Sequence, residues 1–290
     1  MDERAALRLV GGLVDAAGDD AAVVDGTVLT IDMLHERTDF PTGTTRYTAG
    51  WRAVGASLSD VAAMGAEATA AVGVYGAPAF DPDDLEQFVA GASEVCDHVD
   101  ATYVGGDLDD TEEFTVATAA VGETDEAVTR DGARPGDVLC VTGTLGRTAA
   151  ALDYFAAGDL ERANALFRFT PRVAAGVALR EHATAMMDSS DGLARSVHQL
   201  AEASECGFVL DGEAVPVAPE LRETADETEA FDRALTTGED FELVCTLPED
   251  VVETVRDELD VSLHVVGTVI ADRERVTLDG EPLPDVGYTH

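Results

Sequence analysis

The first part of the chain alternates apolar and polar residues in a pattern typical of a β-hairpin. Two predicted strands, over 21–24 and 27–32, flank Asp25-Gly26, a dipeptide that favours a two-residue type I′ turn. Such a turn pairs Val24 with Thr27 and so fixes which residues lie opposite each other. The register predicts that three carboxylates converge at the open end of the hairpin: Asp19, Asp20 and Asp32.

After the hairpin, the apolar period changes from two to about 3.6 residues, which indicates helices. Residues 48–65 carry one apolar stripe that includes Trp51 and Leu58, and Asp60 projects from the side roughly opposite Trp51. Asp60 is either a solvated charge or part of a site. Further elements are predicted in this half of the chain: a helix over 82–99, strands over 101–104 and 114–121, and a turn at Gly105-Gly106-Asp107.

The second half mixes short strands and helices in the same way. Residues 130–136 contain turn residues and a proline, so a domain boundary is predicted near residue 135. The pattern predicts an α/β (α+β) fold with domains over 1–135 and 136–290. The elements expected after the boundary are strands over 138–142, near 207–211 and over 241–246, helices near 160–169 and 172–184, from Leu193 and over 249–259, and a terminal strand pair.

The charge of the chain excludes several function classes. There are 18 basic and 58 acidic residues, a net charge of −40, and every basic residue is Arg. Nucleic acids and anionic membranes bind clustered positive charge, so neither is an expected partner. Because 46% of the residues are hydrophobic and periodic, the chain is expected to fold, and its acid is interpreted as a surface adapted to high salt.

The cysteines and the N-terminus indicate an unprocessed cytoplasmic protein. Cys96, Cys140, Cys206 and Cys245 are widely separated and form no Cys-x-x-Cys pair, which favours buried thiols over disulfides or zinc. The first residues carry no cationic segment followed by an apolar one, and no stretch approaches the length of a membrane span.

Short turns that contain Gly or Ser carry the aspartates of interest. A chain without Lys can form neither a P-loop nor the lysine-dependent site of a protein kinase, so phosphate would have to be held through a metal ion. Clustered carboxylates repel unless a cation holds them, and Mg²⁺ prefers such oxygens. The candidate motifs are Gly18-Asp19-Asp20, Thr30-Ile31-Asp32, Ser59-Asp60, Gly105-Gly106-Asp107 and Asp188-Ser189-Ser190-Asp191.

Other readings of the chain are weaker. The segment 141–146 follows a predicted strand and precedes a helix, but it lacks the third glycine of a dinucleotide-binding turn. No Gly-x-Ser-x-Gly or His-Glu-x-x-His motif is present, which disfavours the corresponding hydrolases. The acidic turns could also belong to the salt-adapted surface, although surface acid is expected on helix faces, as over 220–229.

The order of these motifs resembles the thiamine-monophosphate kinase family, within the superfamily of aminoimidazole-ribonucleotide synthetase-like ATP-binding proteins. The resemblance extends over nearly the whole chain from Gly18. It implies an N-terminal mixed α/β domain whose sheet dimerises into a barrel, followed by a C-terminal α+β domain. The segments that carry it are Gly18–Val23, Thr30–Leu34, Gly50–Ala66, Gly105–Asp107, Thr129–Asp137, Asp188–Leu193 and Gly238–Leu243.

The resemblance also implies a set of site residues. Positions matching the family's Mg²⁺ ligands are Asp20, Thr30, Asp32, Asp60, Asp107, Asp188 and Asp191, and Ile31 would ligate through its carbonyl. Positions matching ATP contacts are Gly106, Asp107, Arg130 and Ser190. Substrate contacts are expected at Glu239, at Tyr288 and at Asp39, where the family usually has His.

The reaction implied is Mg²⁺-assisted, in-line transfer of the ATP γ-phosphoryl group to thiamine monophosphate, in a homodimer. No catalytic side chain is expected, because the acceptor is already an oxyanion and needs no strong base. Two alternatives remain: another enzyme of the superfamily, such as aminoimidazole-ribonucleotide synthetase, and a nucleotide-binding subunit without turnover.

Overall fold

The computed structural model describes residues 9–14 and 17–288. Residues 1–8 and 289–290, at the ends of the predicted domains, and residues 15–16 inside the first domain lie outside this part of the chain. In the described part, the strands form two sheets, with helices packed on them. The predicted α/β (α+β) fold class is confirmed.

The first sheet has the strand order β1-β2-β5-β3-β4, and the second has the order β12-β11-β8-β10-β6-β9-β7. Since β5 belongs to the first sheet and β6 to the second, the proposed boundary near residue 135 lies in the connection between them. The strands are β1 (Ala22–Val24), β2 (Thr27–His35), β3 (Glu67–Ala77), β4 (Thr102–Asp110), β5 (Thr115–Glu123), β6 (Val138–Thr142), β7 (Ala185–Asp188), β8 (Gly207–Leu210), β9 (Leu243–Leu247), β10 (Leu263–Ile270), β11 (Val276–Leu278) and β12 (Glu281–Pro282).

The helices lie near the predicted ranges with somewhat different ends, except that the short helix Glu36–Asp39, like the strand β3, was not predicted. They are α1 (Glu36–Asp39), α2 (Arg46–Ala63), α3 (Pro82–Asp97), α4 (Arg147–Ala157), α5 (Leu160–Phe167), α6 (Val173–Leu179), α7 (Leu193–Ser204), α8 (Pro219–Thr224), α9 (Glu227–Thr236) and α10 (Val252–Glu258). Within residues 9–14 and 17–288, no helix combines the length and the apolar character needed to cross a membrane.

The predicted hairpin is present. Val24 pairs with Thr27, and both turn residues have positive φ, +51° at Asp25 and +80° at Gly26, as a type I′ turn requires. The turn sets which residues of β1 and β2 lie opposite each other, and pairing with β5 holds β2 along its whole length. The even-numbered residues of β2 from Val28 to Leu34 face the helices, and its odd-numbered residues face away.

One face of the first sheet packs on α2, and the other face is exposed and apolar. The strand registers place side chains from β2, β3 and β4 on this outer face. The large exposed hydrophobic residues on it are Leu29, Ile31, Met33, Val72, Val74 and Val104.

The predicted turn at Gly105-Gly106-Asp107 is wrong. These residues lie inside β4, which continues to Asp110 in parallel pairing with β3. Between the pairs Ala71–Tyr103 and Gly73–Gly106, β4 has one residue more than β3, and the φ of +127° at Gly105 accommodates it as a bulge in β4. Gly106 passes the backbone of Gly73 so closely that a Cβ there would lie 1.6 Å from the Gly73 carbonyl oxygen.

Helices α2 and α3 approach each other through two glycines. A Cβ on Gly50 would lie 2.1 Å from the carbonyl oxygen of Phe88, and one on Gly91 would lie 1.9 Å from that of Tyr47. The contact is reciprocal because each glycine faces the backbone of the other helix. It fixes α2, the helix that carries Arg52 and Asp60, against the rest of the first domain.

Candidate active site

Three aspartates from distant parts of the chain meet where the two sheets approach each other. Asp20 precedes β1, Asp60 lies in the last turn of α2, and Asp188 ends β7. One carboxylate oxygen from each lies within 4.8 Å of the others. Hereafter these three residues are called the carboxylate cluster.

Neighbouring hydroxyl and amide groups hold the cluster in place. Thr30 Oγ1 donates to Asp60 Oδ2 at 2.6 Å, and Ser59 Oγ donates to Asp188 Oδ2 at 2.7 Å. The backbone N–H of Ser190 donates to Asp188 Oδ1 at 3.0 Å. Thr30 was predicted as a metal ligand, and within this chain its hydroxyl orients a carboxylate.

Arg130, a predicted ATP contact, forms a bidentate ion pair with Asp20 of the cluster. Its Nε and Nη2 donate to the two oxygens of Asp20 at 3.1 and 2.9 Å. The Arg130 backbone N–H also donates to Asp19 Oδ1 at 2.8 Å. The planar guanidinium matches a carboxylate, and equally a phosphate, in this geometry.

The carboxylate cluster fits a divalent cation. Burial, followed by repulsion from Asp188 and Asp20, raises the pKa of Asp60 well above its ordinary value. Burial and the charge of Asp20 raise the pKa of Asp188 to about 6. Arg130 pairs with Asp20, and its single positive charge does not balance the three carboxylates of the cluster. The remaining negative charge and the hard oxygen atoms suit Mg²⁺.

A cleft of about 150 Å³ opens beside the cluster. It brings together most of the predicted metal and substrate residues that the cluster itself lacks. Its lining consists of Ile31, Asp32, Leu34, Arg52, Ala56, Asp60, Ser190, Asp191, Glu239, Phe241 and Tyr288.

Gly106 and Asp107 are not part of this assembly. Asp107 pairs with Val74 in β3, which pairs with Ala117 in β5, which in turn pairs with Met33 in β2. Three strand spacings separate Asp107 from Met33, or about 14 Å. Asp107 also lies on the outer face of the sheet, whereas Asp32 lies on the inner one.

Arg52 is a site residue that the sequence reasoning did not identify. It is 2% exposed in the middle of α2, and its Nη2 donates to Glu239 Oε2 at 2.8 Å. Its Nη1 donates to the carbonyl oxygen of Phe167, whose ring lies 3.7 Å from the guanidinium carbon. The ion pair anchors the loop of Glu239 to α2.

That loop has an unusual backbone. Gly238, Glu239 and Phe241 all have positive φ, so the strand predicted to start at Phe241 begins instead at Leu243. Asp240 accepts hydrogen bonds from the N–H groups of Gly146 and Thr148 at the start of α4. The turn therefore projects Glu239 into the cleft, while Asp240 holds the loop against the start of α4.

The remaining predicted substrate residues, Asp39 and Tyr288, are hydrogen-bonded to each other. The Tyr288 hydroxyl donates to Asp39 Oδ1 at 3.0 Å, although the two residues are 249 positions apart. Asp39 lies at the end of α1 and is 4% exposed. Tyr288, Glu239 and Arg52 all line the cleft.

Comparisons with known proteins show similarity along most of the chain. Residues 18–124 match the family described as AIR synthase related protein, N-terminal domain, and residues 134–279 match its C-terminal domain. The chain is 65% identical to the thiamine-monophosphate kinase of Halobacterium salinarum over all of both chains. It is 32% identical to that of Escherichia coli K12, over 83% of this chain and 79% of the relative.

Solved structures share the fold. A structure described as AaThiL complexed with AMPPCP and TMP superposes with a TM-score of 0.89 at 27% identity, covering 100% of this chain and 97% of the other. Thiamine-monophosphate kinase from Stenotrophomonas maltophilia superposes with a TM-score of 0.83 at 32% identity, covering 96% of each. Hydrogenase maturation protein HypE has the same fold at 20% identity and a TM-score of 0.73, covering 96% of this chain and 90% of the other.

Proposed function

The chain belongs to the thiamine-monophosphate kinase family of AIR synthase related proteins, and we propose that it transfers the γ-phosphoryl group of ATP to the phosphate of thiamine monophosphate. The observation that carries this proposal is the carboxylate cluster beside a cleft lined by Glu239 and Tyr288. The carboxylate cluster suits a metal-bound phosphate, and the acidic and aromatic side chains of Glu239 and Tyr288 suit an organic cation. An acceptor that carries both groups fits this cleft.

The residues divide into three proposed groups. Metal ligands are Asp20, Thr30, Ile31, Asp32, Asp60, Asp107, Asp188 and Asp191; ATP contacts are Gly106, Asp107, Arg130 and Ser190; substrate-side residues are Asp39, Glu239 and Tyr288. Mg²⁺ bound by these carboxylates would neutralise and align the phosphates of two polyanions. No residue needs to remove a proton, because the attacking oxygen is already anionic.

Arg130 has a specific part in this scheme. It is paired with Asp20 through a geometry that phosphate oxygens also satisfy. A nucleotide phosphate near Asp20 would therefore meet a preoriented guanidinium.

The test is a reaction in molar KCl with ATP, thiamine monophosphate and Mg²⁺, in which thiamine diphosphate is followed by chromatography. Wild-type protein should form the product, and Asp20→Asn and Asp188→Asn should reduce turnover at least about a hundredfold, since each removes charge that organises the phosphates. The matched control is Asp97→Asn, an exposed position at the end of α3. Near-wild-type turnover in both cluster variants would exclude the proposed metal site.

We also propose that the active unit is a homodimer formed by the outer face of the first sheet. Two observations support it: large hydrophobic residues are exposed on that face, and Asp107 lies there, far from the carboxylate cluster of its own chain. A second copy packed on this face would close a barrel and could bring its Asp107 to the first chain's site.

Mixing two inactive variants tests this arrangement. Asp60→Asn and Asp107→Asn are each expected to be inactive, but in a mixed dimer one of the two sites has both aspartates. Random exchange of subunits would then restore about a quarter of wild-type activity. No recovery, despite exchange shown by mass spectrometry, would mean that Asp107 serves its own chain or none.

A variant of the outer face provides a second test. Val72→Asp should give a monomer by light scattering, whereas Val89→Asp, on an exposed position of α3, should leave the oligomer unchanged. We further propose a cytoplasmic location, supported by the burial of the four free cysteines.

A further inference from the structure

Asp39 is held by its own segment of chain. Its Oδ2 accepts a hydrogen bond from the backbone N–H of His35 at 2.6 Å and another from Thr38 Oγ1 at 2.8 Å. Both donors lie within four residues of Asp39, so local hydrogen bonds alone fix the orientation of its carboxylate. The other oxygen, Oδ1, points to the C-terminal segment.

The C-terminal segment lies along the second domain. Leu283 is buried, and its carbonyl oxygen lies 2.9 Å from His198 Nε2 on α7. Asp285 pairs with Arg195 of the same helix at 2.7 Å. The backbone N–H of Tyr288 then donates to the carbonyl oxygen of Asp191, a predicted metal ligand, at 3.0 Å.

At the end of this segment, Tyr288 crosses to the first domain. Its hydroxyl donates to Asp39 Oδ1, and its ring lines the cleft together with Glu239. Burial, then the negative charges of Glu239 and Asp39, raise the pKa of Tyr288, so the phenol stays protonated and remains a donor. A charged acceptor gives the stronger kind of hydrogen bond.

We propose that Asp39 is a positioning residue for the acceptor substrate, which acts by holding the Tyr288 ring as a wall of the cleft. The inference rests on the proposed function. A rigid aromatic wall beside the carboxylate of Glu239 suits an organic cation such as the thiazolium ring of the acceptor. Both carboxylate oxygens of Asp39 already accept hydrogen bonds from the protein. Asp39 therefore acts on the substrate through Tyr288 and not by direct contact.

A double-mutant cycle with Asp39→Ala and Tyr288→Phe separates this role from direct binding. Each single variant should raise the KM for thiamine monophosphate about tenfold, while kcat and the KM for ATP stay within about twofold. The double variant should be no worse than the poorer single variant, because both changes remove the same bond. Tyr288→Phe keeps the ring and loses only the hydroxyl, so it tests the bond even if Asp39→Ala folds poorly.

The control is Asp226→Ala, which removes another carboxylate that accepts a backbone hydrogen bond, here from the N–H of Glu229 at the start of α9. It should leave the KM for thiamine monophosphate unchanged. Additive effects in the cycle would show that Asp39 contacts the substrate itself, and an unchanged KM in Tyr288→Phe would show that the bond positions nothing. Either result overturns the inference about Asp39, and the proposed function still stands if the wild-type protein forms thiamine diphosphate. If the wild-type protein forms no product, the proposed function itself is wrong.

Discussion

Asp188 combines burial with a negative neighbour, and this sets a pH limit on metal binding. Its pKa is raised to about 6 by burial and by the charge of Asp20. The cation binds the deprotonated carboxylate, so a proton competes with it as the pH falls through 6. We expect the Mg²⁺ dissociation constant to rise about tenfold between pH 7.5 and pH 5. Calorimetry in molar KCl measures this, and a constant affinity over that range would contradict it.

Asp60 should be unfavourable for stability when metal is absent. Its pKa in the folded chain lies above the ordinary value, so the cost to folding begins as the pH rises above the ordinary pKa of the unfolded chain and is complete above the folded pKa. Lowering the pH relieves this cost. Asp60→Asn removes the charge and can still accept from Thr30. In EDTA, its free energy of unfolding should rise by about 1 kcal/mol at pH 7.5, while turnover is lost.

Urea denaturation with and without Mg²⁺ checks this prediction. Wild-type protein should gain stability on addition of Mg²⁺, and Asp60→Asn should gain much less. Asp97→Asn serves again as the control, since it removes one exposed charge far from the cluster. A variant that is less stable than wild type in EDTA would show that the Asp60 carboxylate supports the fold rather than straining it.

The sequence indicated the acidic residues of the site but not Arg52, which is the only deeply buried basic residue in the described part of the chain. Asp20, Asp60 and Asp188 stand in short motifs that contain Gly or Ser, and the structure brings them together. Arg52 sits inside a helix, where a charged residue normally faces solvent, and its partners Phe167 and Glu239 are more than 100 positions away. Local periodicity contains no information on such partners.

At the level of elements, the glycine contact between α2 and α3 leaves no room for a side chain. A Cβ on Gly50 would lie 2.1 Å from the carbonyl oxygen of Phe88, a backbone atom that can move only with its helix. Gly50→Ala should therefore destabilise the protein by about 1–3 kcal/mol, despite the higher helix propensity of Ala. Urea denaturation measures the change.

A suitable comparison is Gly158→Ala at the end of α4, where a Cβ would meet no atom within 4 Å but the backbone has a φ of +81°. Its cost is expected to come from backbone strain alone, about 1 kcal/mol. If Gly50→Ala is as stable as wild type, the two helices are not packed through their backbones. Activity at saturating substrate gives a second readout, because α2 carries both Asp60 and Arg52.

Elements defined by neighbouring residues were predicted well, and those defined by distant partners were not. The Asp25-Gly26 hairpin follows from its turn chemistry and pairs Ala22–Val24 in the predicted register. The pairing ends before Asp19 and Asp20, and Asp20 clusters with Asp60 and Asp188 rather than with Asp19 and Asp32. Gly105-Gly106 also looks like a turn, but β3 supplies a parallel partner from about 30 residues earlier, and the strand continues through a bulge. Turn propensity competes here with a sheet that only the folded chain reveals.

For the whole molecule, the net charge of −40 should make stability depend on salt. The screening length falls from about 10 Å at 0.1 M to about 3 Å at 1 M, which weakens repulsion among surface acids. Between 0.1 and 2 M KCl, the free energy of unfolding should rise by at least about 2 kcal/mol. The 65% identical relative from Halobacterium salinarum supports the salt-adapted interpretation.

Thermal unfolding over a KCl series measures this effect, with most of the gain expected below 1 M. Sucrose at matched water activity is the control, since it favours compact states without screening charge. Equal stabilisation by sucrose would show that charge repulsion is not the term being relieved.

The alternation of β2 has a consequence for how this chain can change over evolution. Thr30 and Asp32 face the site, whereas Ile31 and Met33 form part of the apolar outer face. Insertion of one residue inside β2, between Val28 and Leu29, would exchange the two sets, because every residue beyond it would move to the opposite face of the sheet. Apolar groups would enter the phosphate site and acids would enter the sheet surface. Length variation that loops tolerate should therefore be lethal within this strand.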